Sequence, residues 1–252
     1  MRRLASVRRS FALGPSGCWA RLLSMTLLPR VTSYRRVNTA EQVFEILRDR
    51  IIKLDLKPHE VLSRIGLAEE FGVSQTPVRE ALLKLEVMGL VDVYPQSRTE
   101  VSPINAVKIR EVQFMRRALE TEVCMKLVDV LNDAGATELK SILDAQEAVI
   151  ADDSKMSLFM QLDKDFHSKL FELVGQSSLN DLVQEHSVHL DRMRMLQLPL
   201  QGKRQSILTE HREVLAAVLS KDKMRVMNAV RDHLTSKSHA VSTLMANFPE
   251  YF

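Results

Sequence analysis

The chain has 252 residues, which suits one large domain or two of moderate size. Apolar residues make up 45% of it and aromatic residues only 5%, a mixture that favours packed helices over a β-rich fold. No run of about 18 apolar residues occurs, so the sequence predicts no membrane-spanning helix. Cys18 and Cys124 form no CxxC pair and no disulfide framework, which makes a reducing compartment the default expectation.

The net charge of +3 is unevenly distributed along the chain. Residues 1–36 contain eight arginines and no Asp, Glu or Lys. Residues 37–103 contain eight basic against eleven acidic residues, and residues 104–252 contain 19 against 21. Bulk charge therefore does not support nucleic-acid binding by the folded part, and any DNA contact must come from a few well-placed basic groups.

Residues 1–37 form a basic extension that we expect to be disordered and to lie outside the fold. Its Arg-rich, acid-free composition is typical of an organelle transit peptide, whereas Gly14, Pro15 and Gly17 interrupt the apolar core that a secretory signal needs. Three interpretations remain open. The segment is a basic arm that adds affinity for phosphate, or the transit peptide of a nuclear-encoded organelle protein, or translation starts downstream, for example at Met25.

The next unit, residues 38–103, has the pattern of a helix, a helix–turn–helix and a two-stranded wing. Asn38 or Thr39 can cap a first helix over residues 40–54, where apolar side chains recur at helical spacing. A short helix is predicted over residues 67–71, and the segments LVDVY and TEVSP read as two strands around PQSR. This order is that of a winged helix, in which the second helix of the pair enters the major groove.

That second helix follows a turn at Gly72 and is expected to begin at Ser74, which can cap it. Pro77 suits its first turn, because the missing N–H costs little there, and Met88-Gly89 ends it. The side chains expected to be buried are Leu82, Leu83, Leu85 and Val87.

The segment LAEEFGVSQTPVREALLKLEVMGLV resembles the DNA-binding domain of GntR-family bacterial regulators, which usually read LAxxLGVSRTPVREALxxLxxxGLV. The resemblance implies that Ser74, Gln75, Thr76 and Arg79 face DNA. Arg79 can bind a phosphate or grip a guanine edge with two hydrogen bonds. Ser74 and Thr76 suit phosphate contacts.

The segment departs from the family pattern at several positions. Gln75 stands where the family usually has Arg, and Gln favours adenine over guanine. Ser97-Arg98 replace the usual Arg-Gly of the wing, so Arg98 is expected to supply charge to DNA where a glycine would allow close approach. His59 stands where a Gly usually follows the proline. The alternative is a winged helix that makes protein contacts only.

Residues 104–252 show an almost continuous helical pattern. Sparse breakers divide it into five or six predicted helices, and no strand alternation appears. We therefore expect an all-helical bundle, so that the fold class of the chain is mainly α.

Polar residues interrupt the apolar stripes of this helical region. Asp163 and His167 are spaced i,i+4 and share a helix face. His211 and His233 flank the turn at Lys221, so their rings lie nearly level if the two helices are antiparallel. One Asp and three inward-facing His can hold a divalent metal ion (Zn, Ni, Mn or Fe) and leave coordination positions open. The alternative for each His is a core imidazole satisfied within the protein.

Three further residues of this region carry expectations. His186 and His189 are competing candidates that we expect to be structural or on the surface. Arg116 lies on an apolar stripe and must find an anion. The simple partner is Glu120, one turn on, and the other is the carboxylate of an effector held jointly with the metal.

The same residues resemble the FadR C-terminal (FCD) domain that follows many GntR winged helices. Its marks are R-x-x-x-E, D-x-x-x-H, E-H and R-x-H-L, present here as Arg116–Glu120, Asp163–His167, Glu210-His211 and Arg231–Leu234. The resemblance implies a helical domain, a homodimer, a metal held by Asp163, His167, His211 and His233, and a small carboxylate effector. Gln176 departs from the Asn that the family commonly has there.

The sequence thus predicts a dimeric, effector-responsive transcription factor that binds a palindromic DNA operator. Family habit favours a repressor, acting in the bacterial cytoplasm at the nucleoid. The alternative is a metal-dependent, hydrolase-like enzyme with an attached winged helix. Against it, no general base is evident, because Glu210 adjoins His211 in sequence and points about 100° away on a helix.

Overall fold

The computed structural model describes residues 39–235 and 238–252, with the side chains of 238–240 left out. The basic extension and the predicted cap at Asn38 lie outside the described residues. None of the helices in the described ranges is long and apolar enough to cross a membrane.

The first part of the described chain has three helices and a two-stranded wing. The helices are α1 (Thr39–Ile52), α2 (Arg64–Phe71) and α3 (Gln75–Val87), and the strands are β1 (Val91–Val93) and β2 (Thr99–Val101). The strands pair antiparallel, with Val91 opposite Val101 and Val93 opposite Thr99. This is the winged helix–turn–helix that the sequence predicts.

Local chemistry sets the ends of these helices. The Ser63 hydroxyl accepts a hydrogen bond from the Gly66 N–H and caps α2, which therefore begins before the predicted residue 67. Gly72 ends α2 with φ +63°, and its N–H bonds back to the last turn. Ser74 occupies the N-cap position of α3 in extended conformation, although its side chain makes no capping bond. His59 has φ +67°, which explains why relatives use glycine there.

The buried face of α3 differs from the sequence expectation. Leu82 and Leu85 are buried, but Leu83 is 44% exposed and Val87 is 89% exposed. The face that packs is Val78, Ala81, Leu82 and Leu85. These positions follow the i, i+3, i+4, i+7 spacing of one helix face, whereas positions 83 and 87 lie off it.

The second part consists of eight helices in the described residues, more than the five or six expected. They are α4 (Ala106–Val130), α5 (Asp133–Ala148), α6 (Met156–Leu173), α7 (Ser177–His186), α8 (Val188–Gln197), α9 (Lys203–Leu219), α10 (Lys223–Thr235) and α11 (Ser238–Asn247). The break between α7 and α8 falls at Ser187, whose hydroxyl donates to the Val183 carbonyl. No Gly or Pro marks that break, which is why the sequence pattern does not show it.

The packing of these helices determines where the candidate site lies. α4 packs on α10, α6 and α8, α9 packs on α10, and α5 packs on α6 and α9. The largest buried side chains of this core include Phe166, Phe171, Leu127 and Leu139. α8 also contacts α1, and its Val188 joins the core of the winged helix. The helices α4, α6, α9 and α10 therefore enclose one interior region, and α8 links it to the winged helix.

Candidate metal centre and DNA-reading surface

Three histidines from three helices meet inside the helical part. His167 of α6, His211 of α9 and His233 of α10 are each at most 3% exposed. One nitrogen of each ring lies within 4.8 Å of the corresponding nitrogens of the other two. Asp163, one turn before His167, places Oδ1 3.5 Å from His211 Nε2. The structure thus brings together the four residues that the sequence singled out as metal ligands.

Each ring is oriented by an oxygen acceptor at its Nδ1. The three pairs are His167 with Glu120 Oε2 at 2.7 Å, His211 with Gln146 Oε1 at 3.0 Å, and His233 with Glu210 Oε2 at 2.9 Å. Because these oxygens accept, each Nδ1 carries the hydrogen and each Nε2 presents its lone pair inward. Gln146 and the orienting role of Glu210 were not expected from the sequence.

The spacing of the inward nitrogens fits a bound metal ion. His233 Nε2 and His167 Nε2 lie 3.4 Å apart. Two nitrogens bound at roughly 2.0–2.1 Å to a tetrahedral ion are separated by about 3.4 Å. Three imidazoles and one carboxylate are also a donor set typical of first-row divalent metals. The residues present therefore could hold such an ion.

The electrostatics keep this cluster in the form that binds a cation. Burial lowers the pKa of His167, and the charge of Arg116 acts in the same direction against the opposing charge of Glu120. Burial alone raises the pKa of Glu120, but Arg116 and His167 outweigh it and hold that pKa well below its usual range. A neutral imidazole beside an ionised carboxylate is the state that a metal ligand requires.

Two buried arginines border the cluster. Arg116 is 4% exposed and donates from Nε to Glu120 Oε1 at 2.7 Å, so the simpler of its two expected partners is present. Arg194 of α8, which sequence reasoning missed, lies 2.8 Å from Asp163 Oδ2 through its Nη1. The signal that could have revealed Arg194 is its charge within a short segment flanked by Met193 and Met195. Both guanidinium groups are available to an anion bound beside the histidines.

The other two histidines of the region take the structural roles expected of them. His186 is exposed at the end of α7. His189 is buried, and its Nδ1 accepts a hydrogen bond from the Asn105 N–H at 3.2 Å. Burial, with the charge of Arg192, lowers the pKa of His189 to about 4, which keeps it neutral.

The predicted DNA-reading side chains lie on the exposed start of α3. Ser74, Gln75, Thr76 and Arg79 are all exposed. Gln75 and Arg79 are one turn apart and line a groove of about 600 Å³ together with Ser97 and Arg98 of the wing. The first turns of α3 and the tip of the wing thus form one continuous polar surface, as a reading helix and its wing require.

Arg98 is more constrained than Arg79 on that surface. Its Nε donates to Glu100 Oε2 at 2.5 Å, and its guanidinium lies 4.4 Å from the centre of the Tyr94 ring. Glu100 offsets much of the charge of Arg98 before any phosphate approaches. Arg79 has no ion pair among the described residues, so it contributes its full charge.

Comparison with known proteins agrees with this geometry. The family model for FCD domains matches residues 111–236, and the model described as bacterial regulatory proteins of the gntR family matches residues 39–101. The chain belongs to the GntR family. This GntR protein is a DNA-binding transcriptional regulator with an FCD domain, and the alternative of a hydrolase-like enzyme is thereby set aside.

Individual relatives show the same organisation. An uncharacterised HTH-type transcriptional regulator of Streptomyces ambofaciens is 34% identical over 206 residues, covering 82% of this chain and 86% of the relative. The HTH-type transcriptional repressor RspR of Escherichia coli K12 is 26% identical over 228 residues, covering 90% and 99%. The solved structure of E. coli McbR/YncC has a TM-score of 0.66 at 20% identity, covering 84% and 99%, and shares the fold.

Proposed function

We propose that this GntR regulator is a homodimeric repressor whose binding to a palindromic operator is controlled by a divalent metal ion and a small carboxylate effector. The observation that carries the proposal is the buried triad of His167, His211 and His233 with two buried arginines beside it. The relative RspR is named as a repressor, which supports the sign of the regulation.

In the proposed complex, α3 of each protomer lies in the major groove. Gln75 and Arg79 contact base edges or phosphates, and Ser74 and Thr76 contact the backbone. Arg98 of the wing adds a weaker electrostatic contribution because Glu100 already pairs with it. A two-fold symmetric dimer then requires two half-sites related by the same symmetry.

In the helical part, Asp163, His167, His211 and His233 would hold the ion (Zn, Ni, Mn or Fe). The bound metal supplies a positive anchor for a carboxylate oxygen at its open positions. Arg116, already aligned by Glu120, adds a second positive group from α4. The nearly complete burial of these residues strengthens each interaction, because solvent screening is weak there.

Helix α8 supports a physical route from this pocket to the DNA reader. At one end Val188 packs in the core of the winged helix, and at the other Arg194 pairs with the candidate metal ligand Asp163. Between them Arg192 donates to the backbone carbonyls of Ser102 and Pro103, in the segment that joins β2 to α4. An effector that binds one position of α8 better than another would shift the placement of the readers.

An exposed apolar stripe on α4 supports self-association. Phe114 is 69% exposed and Val107 is 52% exposed. The two positions are seven residues apart and therefore lie on the same face of the helix. A solvent-exposed Phe on a long helix marks an interaction surface more often than a free one, and the homodimer would cover it.

A footprint on the DNA upstream of the protein's own gene tests the proposal. We expect protection of two inverted half-sites separated by one helical turn, about 10 base pairs, or a multiple of it. Protection of a single asymmetric half-site at all protein concentrations would contradict the dimeric reader. Absence of any sequence-specific protection, on this DNA and on a pool of randomised sequences, would contradict operator binding itself.

A further inference from the structure

We infer that Arg194 on α8 and Gln113 on α4 recognise the effector directly, and that the pocket selects a singly charged carboxylate that carries a neighbouring polar group. The inference rests on the proposed function, since it concerns the ligand of that same site. Neither residue belongs to the four candidate metal ligands or to the family marks by which the sequence was interpreted.

The guanidinium of Arg194 presents an unused edge. Its Nη1 lies 2.8 Å from Asp163 Oδ2, and the residue is 5% exposed. Its Nε and Nη2 are buried and make no hydrogen bond within the described residues. These two atoms form the side of the guanidinium whose N–H bonds run parallel, which is the edge that binds a carboxylate with two hydrogen bonds.

Arg194 and Arg116 act on the same carboxylates. Arg194 Nη1 lies 3.8 Å from Asp191 Oδ1 as well as close to Asp163. The charges of Asp163 and Asp191 also act on Arg116, which approaches from α4. The two guanidinium groups therefore converge from different helices on the side of the triad where Asp163 lies. An anion bound there would contact both.

Gln113 adds a neutral polar group from α4. It lies one turn before Arg116 and seven residues before Glu120, on the same helix face, and is 3% exposed. Both its amide nitrogen and its amide oxygen are buried without a hydrogen-bond partner in the described part of the chain. A buried amide without partners destabilises the free protein, so a ligand that offers both an acceptor and a donor would satisfy it.

The charge balance of the pocket sets the charge of the ligand. The positive groups are Arg116, Lys164 and Arg194, and the negative groups are Glu120, Asp163, Asp191 and Glu210. Without a ligand the pocket thus has one negative charge in excess, and a divalent ion converts this to one positive charge. A single carboxylate closes the balance, whereas a second one would remain unpaired in a buried site, at a high cost.

Calorimetry on the full-length, metal-loaded protein tests the inference with three probes: acetate, glycolate (acetate with one hydroxyl) and malonate (a dicarboxylate of similar size). We expect glycolate to bind most tightly, acetate less tightly and malonate most weakly. Malonate binding as tightly as glycolate would overturn the charge argument. No binding of any probe to protein that holds its metal would overturn the inference and leave the metal site standing.

Two variants test the residues themselves. Arg194→Lys keeps a positive charge near Asp163 but removes the parallel N–H pair, so we expect all carboxylate affinities to fall about tenfold or more. The matched control is Arg212→Lys, an exposed arginine on α9. Unchanged affinities in Arg194→Lys with normal metal content would overturn the assignment of Arg194.

Gln113→Met keeps the size of the side chain and removes the amide. We expect the affinity for glycolate to fall to that for acetate, while the melting temperature of the ligand-free protein stays equal or rises, because an unpaired buried amide is lost. A residue with only a structural role gives the opposite result, a lower melting temperature with the preference for glycolate retained, and that result would overturn the assignment. Loss of metal from the wild-type protein would instead count against the proposed function.

Discussion

The guanidinium of Arg192 donates from Nη2 to the backbone carbonyl of Ser102 at 2.8 Å, with the arginine completely buried in α8. Nη1 lies 3.4 Å from the Pro103 carbonyl, and no salt bridge involves Arg192 within the described ranges. Burial lowers the pKa of Arg192 to about 10, so the group is still charged at neutral pH. A buried charge held by two carbonyls of one segment fixes that segment to α8, because leaving the charge unpaired would be costly.

Arg192→Met is expected to weaken the coupling between the pocket and the DNA reader. The substitution removes the two bonds to the 102–103 segment, while the arginine touches none of the candidate metal ligands. A ligand-dependent change in operator affinity, typically 5–150-fold for coupled sites, should fall towards no change, with metal content retained. Fluorescence anisotropy of labelled operator DNA measures it, and Arg212→Met on the exposed face of α9 is the control. A full ligand response in Arg192→Met would contradict the role of α8.

The double substitution His211→Ala and His233→Ala should lower bound metal to background. It removes two of the three converging imidazoles, and the remaining His167 and Asp163 are too few to hold an ion. Elemental analysis of the purified protein measures the metal, and His186→Ala, which changes an exposed histidine outside the triad, should retain it. Stoichiometric metal in the double variant would place the site elsewhere.

Glu210→Gln should weaken metal binding without removing a ligand. Glu210 Oε2 accepts from His233 Nδ1 at 2.9 Å and is partly exposed, so the variant is expected to fold. Loss of an orienting carboxylate typically costs 10–100-fold in metal affinity, roughly, and we expect a change in that range. Competition with a chelator of known affinity measures it. Glu213→Gln, on the same helix but paired with Arg225, serves as control, and equal affinities in the two variants would argue against an orienting role.

Arg79→Ala should reduce specific operator binding by about 1–3 kcal/mol while the dimer persists. The guanidinium is exposed on the DNA side of α3, and no ion pair offsets its charge in the described residues. Lys140→Ala removes the same charge from the exposed face of α5 and should leave binding unchanged. Operator affinity equal to that of the wild type in Arg79→Ala would show that another residue reads the DNA.

Gln75→Arg should change which base is preferred without changing the position of the protein on DNA. Gln75 shares the polar groove with Arg79, one helical turn away. The amide of Gln pairs best with adenine and the guanidinium of Arg with guanine. Selection from randomised DNA by both proteins should therefore show adenine replaced by guanine at one position of each half-site. Identical selected sequences would indicate that residue 75 does not contact a base.

The sequence predicts the winged helix and the histidine triad because both depend on local patterns. Gly72, Ser74 and the i,i+4 spacing of Asp163 and His167 can be read without knowing the fold. The DNA-reading roles of the α3 residues and of Arg98, the domain boundaries and the ligand set stay predictions.

The rest depends on long-range pairing or on breaks without a sequence signal. Arg192 meets a carbonyl 90 residues away in sequence, and Gln146 meets His211 across 65 residues. Such partners become visible only once the helices are packed. The division of α7 from α8 at Ser187 lacks the glycine or proline that marks other breaks, so the number of helices was underestimated.

The most direct measurement is the affinity of the metal-loaded protein for its operator, titrated at fixed salt with and without saturating glycolate. If the pocket controls the reader, glycolate should weaken operator binding by at least about fivefold, and metal removal should abolish that response. Operator affinity that is the same in the metal-free, metal-loaded and glycolate-saturated protein would contradict the account.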